Sequence, residues 1–450
     1  METQIDHTAE ITALLEAHNA KEVLRLLGDL HAADIVRVLT SIEDDQAIEL
    51  FKYLSPVPAA EVLLETDERL RAILISSISS AELIRVVEEM ETDDATDIIA
   101  ELPLKSAKEV LAGIKEKDSV ALKKLLVYPE DTAGGKMQAE LLAVHQSATV
   151  QEAIEEIRRK GRDIENLSSV FVVDSGGRLA GAVPLNKLII AGPDVRIKDI
   201  VVPDTIKVQT DLDQEEVAKI FQKYDLLSLP VVDSAGVLVG RITVDDVVDV
   251  IEEEIFEDFY KMAGLNLEAR VMDPARRSIR LRLPWLLINL ATAFLAASVV
   301  HIFQGTIQKF VILAVLMPVI AGMGGNAATQ TLTVVVRGLA LGELSMHNAR
   351  WVIFKEALVG LSNGLMVGIV ATIVAYLLGA NIMIGLLLFL GMTANLVIAG
   401  LAGTFIPIIL KRLKIDPAIS ATVFVTTCTD VGGFFSFLGL ATVFVRAGIL

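Results

Sequence analysis

The stretch Thr426-Thr427-Cys428-Thr429-Asp430-Val431-Gly432-Gly433-Phe434 sits inside an apolar run from about Pro417 to Val445. About 20 apolar residues suffice to cross a bilayer as one helix, so the run reads as a membrane span with Asp430 near mid-depth. A carboxylate there costs about 3 kcal/mol on insertion scales, and such acids normally face a polar pathway or a partner. Threonines on either side add hydroxyl oxygens. Two readings compete: a buried carboxyl paired with a neighbouring helix, and a step in a cation path. No span offers a deep Lys or Arg as partner, because Lys309, Arg337, Lys355 and Arg446 all lie near span ends. The cation path is the stronger reading.

Working outward, the membrane part holds five apolar runs, about 284–303, 310–335, 353–378, 383–410 and 417–445. Basic residues set their orientation. Arg276, Arg277, Arg280 and Arg282 precede the first run, Arg337, Arg350 and Lys355 surround the second loop, and Lys411, Arg412 and Lys414 lie in the fourth. The other side has only Lys309 and Arg446. Five spans follow, with the amino terminus inside a cell (inner) membrane and the carboxyl terminus outside. Further polar features share these spans: Pro318, Gly322, Gly324, Gly325, Asn326 and Gln330 in the second, and Asn395, Gly400, Gly403 and Pro407 in the fourth. Gly and Pro at membrane depth are tolerated where backbone lines a cavity or packs closely. With amides and one carboxylate beside them, they favour an ion path.

The remainder of the chain is strongly acidic. Only four of the 58 acids and nine of the 40 basic residues lie after residue 280, so the net charge of −18 is owed to the residues before it. That argues against nucleic acid and for cations or basic partners. The single cysteine, Cys428, lies in a span, so no disulfide framework exists and the acidic part reads as cytosolic. Met1–Glu10 is polar, without the apolar core of a cleaved signal peptide.

Residues 1–127 carry helical periodicity throughout. Leu30-His-Ala-Ala-Asp34, Leu54-Ser-Pro-Val-Pro58 and Ile78-Ser-Ser-Ala-Glu82 recur every 24 residues, with Met90-Glu-Thr-Asp-Asp94 and Leu102-Pro-Leu-Lys-Ser106 following at 12. The pattern predicts short capped helices stacked as a solenoid. Residues 128–250 change character: Val170-Phe-Val-Val-Asp174 and Leu229-Pro-Val-Val-Asp233 are short buried strands leading into turns. Amphipathic helices precede them at Gln151–Lys160 and Gln214–Tyr224, and a second strand containing Gly181 or Gly240 follows, then a helix. This duplicated α/β unit resembles a tandem pair of CBS domains, a family that often binds adenine nucleotides. The second repeat keeps Thr243-Val-Asp-Asp246, whose Thr and Asp the resemblance assigns to phosphate and ribose. The first has Pro184-Leu-Asn-Lys187 there and lacks the acid, so one nucleotide site per chain is expected.

Residues 251–280 read as a long acidic connecting helix. From Asp245 to Asp258 eight of fourteen residues are Asp or Glu and none is basic. Asp245, Asp249, Glu253 and Glu257 recur at four-residue spacing as one acidic ridge. Like charges so spaced cost roughly 0.2–0.5 kcal/mol per pair, and a bound divalent cation would offset that cost.

A helical N domain, tandem CBS domains, an acidic "plug" helix and a five-helix transmembrane domain at 281–450 together resemble the MgtE family of magnesium channels or transporters. The residues that carry the resemblance are Pro318 with Gly324-Gly325-Asn326 and Gln330, Asp416-Pro417-Ala418, the Thr427/Asp430/Gly433 run, and Tyr128-Pro-Glu-Asp-Thr-Ala-Gly134. It implies a homodimer in the lipid bilayer with a pore lined by the second and fifth spans, using Asp430, Thr427, Gly324, Gly325, Asn326, Gln330 and Asn395. It also implies cytosolic Mg2+ sites that close the pore. Matching positions are Glu61, Asp93 and Asp97 in the first domain, Glu215, Asp225, Asp246 and Asp249 in the CBS pair, Glu254, Glu257 and Asp258 on the plug helix, and Asp416 at the membrane edge. ATP is the expected nucleotide, at Thr243 and Asp246. Other readings are transport of Mn2+ or Co2+, which all-oxygen ligands disfavour, and a CBS-regulated membrane sensor or enzyme. A zinc intramembrane protease needs His-Glu-x-x-His, which is absent. An aspartyl one needs two mid-membrane acids, and only Asp430 is expected to lie deep.

Overall fold

The computed structural model describes residues 8–17, 19–161, 164, 166–266, 269–271, 273–419 and 421–450. The polar start, residues 1–7, lies outside them. The chain forms two compact units, Met1–Ile251 and Glu252–Leu450.

The first unit begins with ten short helices: α1 (Thr8–Glu16), α2 (Ala20–Gly28), α3 (Ala32–Ser41), α4 (Asp44–Phe51), α5 (Pro56–Glu65), α6 (Glu68–Ser77), α7 (Ser80–Val87), α8 (Thr92–Glu101), α9 (Leu104–Gly113) and α10 (Glu116–Leu125). From α2 to α10 the capping residues are Asn19, His31, Glu43, Ser55, Asp67, Ser79, Glu91, Pro103 and Lys115, one every twelve residues. Asn19, His31, Asp67 and Ser79 accept a backbone N–H from the first turn, which satisfies donors the helix itself cannot. From α3 onward the most extensive packing is between every second helix: α3 on α5, α5 on α7, α7 on α9, and α4 on α6, α8 on α10. Twelve residues therefore make one helix and 24 make one turn of the solenoid, which explains why the sequence repeat is clearest at 24. Ile35, Leu39, Leu50, Leu63, Leu70 and Leu74 fill the space between the stacks.

Two three-stranded sheets follow. In the first, β1 (Ala143–His145) pairs parallel with β2 (Ser169–Val173), which pairs antiparallel with β3 (Leu179–Pro184); in the second, β4 (Val208–Gln209), β5 (Ser228–Val232) and β6 (Leu238–Thr243) repeat that order. Helices α11 (Val150–Lys160), α12 (Leu185–Ile190), α13 (Ile197–Ile200) and α14 (Gln214–Tyr224) fill the crossovers, and α15 (Val244–Met262) leaves β6. The duplicated β-α-β-β-α order stands as read. Asp174 and Asp233 make the same turn: each Oδ1 accepts two backbone N–H groups, at 2.8 and 2.9 Å or both at 2.9 Å, ahead of Gly177 and Gly236 at φ +75° and +80°. The segment after α10 docks on the second repeat: Ala133 N–H donates to Leu212 O, and Gln138 and Arg241 exchange backbone hydrogen bonds.

In the second unit α15 ends at Met262, and α16 (Ala275–Ile302) already contains the four arginines. There follow α17 (Gln304–Lys309), α18 (Ile312–Ala340), α19 (Ala349–Leu377), α20 (Ile382–Arg412) and α21 (Ala421–Arg446). Five helices, all but α15 and α17, are long and apolar enough to cross a membrane among the described residues. Helix α20 is central and packs on α18, α19 and α21, while α16 packs chiefly on α21. Gly360, Gly364 and Gly368 recur at four-residue spacing along α19, and a Cβ at Gly360 would lie 2.5 Å from Leu396 O of α20. Without a hydrophobic drive between helices in lipid, such close backbone approach supplies the packing energy.

Candidate functional site

Polar groups in the membrane helices fall into an exposed face and a buried seam. On α18, Ile320, Gly324, Ala328 and Leu332 are buried, whereas Gly322, Asn326 and Gln330 point away from the chain's own bundle. On α21, Asp430 and Thr427 are half-buried. Among the described residues, Asn326, Gln330 and Asp430 have no hydrogen-bond or ion-pair partner. Thr427 Oγ1 donates to Val423 O at 2.6 Å and Thr426 Oγ1 to Thr422 O at 2.8 Å. Each threonine thus commits its only proton to its own helix and keeps oxygen lone pairs as acceptors. Gly325 faces α21, and a Cβ there would lie 3.9 Å from Thr426 Cγ2.

Asn395 belongs to the seam. It is fully buried, fits against Gly324 and Gly433, and donates from Nδ2 to Ile320 O at 2.8 Å, while its Oδ1 has no partner. It ties α18 and α21 to α20 from behind the exposed face. A second carboxylate also lies within a span: Glu356 of α19 is 6% exposed, 3.0 Å from Lys355 Nζ, and accepts from Thr331 Oγ1 at 3.5 Å. The sequence reading missed it because its partner is the adjacent residue, at the end of the span.

In the first unit, acids from α8 meet the start of α15. Thr243 ends β6 and Asp246 lies in the first turn of that helix, with Thr243 Oγ1 donating to Asp246 Oδ2 at 2.6 Å and Thr243 N–H approaching the same oxygen at 3.3 Å. Thr243 is wholly buried, so the pair caps α15 in the first instance. Gln138 Nε2 donates to Glu91 Oε2 at 2.6 Å and lies 3.4 Å from Asp246 Oδ2. Arg241, 2% exposed, donates to Gln138 Oε1 at 2.9 Å and Glu140 O at 2.8 Å. Asp93 is buried with Oδ1 unpartnered. Burial, then the neighbouring charges of Asp246, Asp94 and Glu91, holds its carboxyl well above the usual range. Asp94 is pushed up to about 7 by burial and by the charges of Asp246, Asp97, Asp245 and Asp249. Asp246 is also raised, by burial and despite its bonds from Thr243. These carboxylates repel one another, so each added proton or cation is favoured there. Asp93, Asp97, Asp246 and Asp249 are thus brought together, and Asp94 joins them. Asp94 is adjacent to Asp93 in sequence, and only the packing of α8 reveals that both face α15.

The other expected ligands lie elsewhere. Glu61 on α5 is exposed, Asp225 ends α14 in a left-handed conformation, and Glu215 pairs with Lys219 at 2.9 Å. Glu254, Glu257 and Asp258 lie on the part of α15 in the second unit, with Asp416 in the loop before α21. Among the described residues no three His, Cys, Asp or Glu side chains form a ready cage for a bare ion. A hydrated Mg2+ asks less, because it keeps several waters and takes one or two carboxylates.

Family models match in the same order as the elements: an MgtE intracellular N domain at 30–131, CBS domains at 134–193 and 197–253, and MgtE, a divalent cation transporter, at 317–440. The magnesium transporter MgtE of Enterococcus faecalis is 34% identical over 96% of both chains. The chain belongs to the MgtE family. MgtE of Thermus thermophilus is 37% identical over 72% of this chain and 73% of its own, and that of Bacillus subtilis 29% over 97% of each. A crystal structure of the cytosolic domain of the Mg2+ channel MgtE in complex with ATP superposes with a TM-score of 0.52 at 31% identity, covering 54% of this chain and 99% of that one. MgtE proteins are transporters, so this chain is not an enzyme. The inosine-5'-monophosphate dehydrogenases it resembles match over only 26% and 24% of it.

Proposed function

We propose that this chain carries Mg2+ into the cell as a homodimeric channel that cytosolic Mg2+ closes. The observation that carries the proposal is the exposed face of α18 and α21. Asn326, Gln330 and Asp430 stand at membrane depth without partners among the described residues, where lipid tails can satisfy none of them. A second copy of the chain turns that face into a water-filled path with Asp430 carboxylates opposed across it. Oxygen acceptors from Thr427 and the amides then hold an ion that keeps most of its water, as reluctantly dehydrated Mg2+ requires. Thiolate or imidazole ligands, which softer ions prefer, are absent from the set. The loop arginines and lysines support an amino terminus in the cytoplasm of a cell (inner) membrane protein and a carboxyl terminus outside.

Closure follows from the acids. At low Mg2+ the carboxylates of Asp93, Asp94, Asp97, Asp246 and Asp249 repel one another, and the pore can open. At high Mg2+ the ion bridges them, with Glu61, Glu215, Asp225, Glu254 and Asp258 as further ligands on this reading. A second reading adds ATP at Thr243 and Asp246, supported by the ATP-bound relative. The test is growth of a magnesium-uptake-deficient strain at low Mg2+. The intact chain restores growth, and failure of a correctly inserted chain to do so overturns the proposal. Rescue lost to excess Mn2+ or Co2+ would favour another cargo.

A further inference from the structure

The acidic ridge of α15 recurs at Asp245, Asp249, Glu253 and Glu257, and the next position at the same spacing is Lys261. Its ammonium lies 2.5 Å from Glu257 Oε1 and 2.7 Å from Asp416 Oδ2. Asp416 is pre-aimed, because its Oδ1 accepts the Ala418 N–H at 2.8 Å. The lysine itself is anchored: neighbouring Met262 packs among Ala328, Leu332, Ala399 and Val425, and Gly264 abuts Trp285. The three side chains are 27%, 30% and 28% exposed for Lys261, Glu257 and Asp416, so solvent screens the cluster only in part.

We propose that Lys261 is a built-in cation: its ammonium takes the place between Glu257 and Asp416 that a divalent ion would bridge, and ties the end of α15 to the α20–α21 loop without metal. Two converging carboxylates with a cation between them are what a bridging Mg2+ would require. Here the chain supplies the charge itself. The tie therefore acts when Mg2+ is scarce, biases the gate toward closure, and reduces the number of ions that closing needs. This consequence for gating rests on the function proposed above, whereas the occupancy of the position by Lys261 does not.

Trp285 lines a cavity of about 270 Å3 with Glu257 and Lys261, so its fluorescence reports on this position. In full-length protein with Trp351→Phe, Trp285 is the single indole, and Mn2+ serves as a quenching divalent probe. Lys261→Met is expected to lower the Mn2+ midpoint for quenching roughly tenfold. Lys261→Arg should leave that midpoint unchanged, and Lys261→Met/Asp416→Asn should abolish the gain. Equal midpoints with and without the Lys261→Met substitution, or a gain that survives Asp416→Asn, would overturn the proposal. In flux measurements Lys261→Met should need several-fold more internal Mg2+ to close, with a steeper dependence. If the quenching pattern holds but no variant carries Mg2+, the transport reading fails and the built-in cation stands.

Discussion

Asp94→Asn removes one charge from the cluster between α8 and α15 while keeping the shape of the side chain. In the folded chain the Asp94 carboxyl is pushed from 3.8 to about 7, a difference of about three units. Each unit is worth about 1.4 kcal/mol, so ionised Asp94 opposes the metal-free fold by roughly 4 kcal/mol at neutral pH. The sign follows from proton binding. Between 3.8 and about 7 the folded chain holds this proton and the unfolded chain has lost it, so the contribution of Asp94 to metal-free stability is most favourable at low pH and is lost as pH rises through about 7. Asp94→Asn abolishes this loss. Allowing for relaxation, the variant should gain about 3 kcal/mol without Mg2+ at about pH 7.5, a rise in melting temperature of roughly 5–10 °C for a unit of this size. Wild type should instead gain stability from Mg2+, by about 2.7 kcal/mol at a hundredfold excess over the dissociation constant, and the variant should gain much less. Temperature-ramped pulse proteolysis of the full chain, scored on fragments from residues 8–251, reads both effects. A variant that melts like wild type in EDTA and keeps the full Mg2+ response would refute the reasoning.

Arg241→Met should cost about 3–5 kcal/mol in the same proteolysis assay, because it leaves the buried Gln138 side chain and the partly buried Glu91 carboxylate without their cation. Gly360→Leu should force α19 off Leu396 of α20 at a cost of about 1–3 kcal/mol or more; the yield of monodisperse protein in detergent would fall. Asn326→Cys in a Cys428→Ser background should cross-link two copies under mild oxidation if the exposed face of α18 meets its counterpart, and a strictly monomeric product would contradict a shared path.

Much of this arrangement is legible in the residues. Apolar run length exposes the five spans, and the repeated Val-Val-Asp turns expose the CBS pair, because both signals are local. The twelve-residue helix period is only half visible, since the caps change identity from Asn19 to Lys115 and only the repeated turn geometry unites them. Asp93 and Asp246 can be named from resemblance, but that Asp94 faces α15 with them depends on how α8 packs. Asn395 reads as a lining group by its polarity; its burial beside Gly324 and Gly433 is a product of three helices meeting. Lys261 is hidden for a similar reason: its partner Asp416 is 155 residues away.

Asp430 carries the central claim, and Asp430→Asn alters its charge without altering its size. In proteoliposomes holding equal amounts of folded protein, Mg2+ influx measured with an entrapped indicator should fall to the level of empty vesicles in the variant while wild type conducts. Undiminished influx through Asp430→Asn would contradict the account, because the ion would then cross without the one carboxylate the pathway provides at mid-membrane.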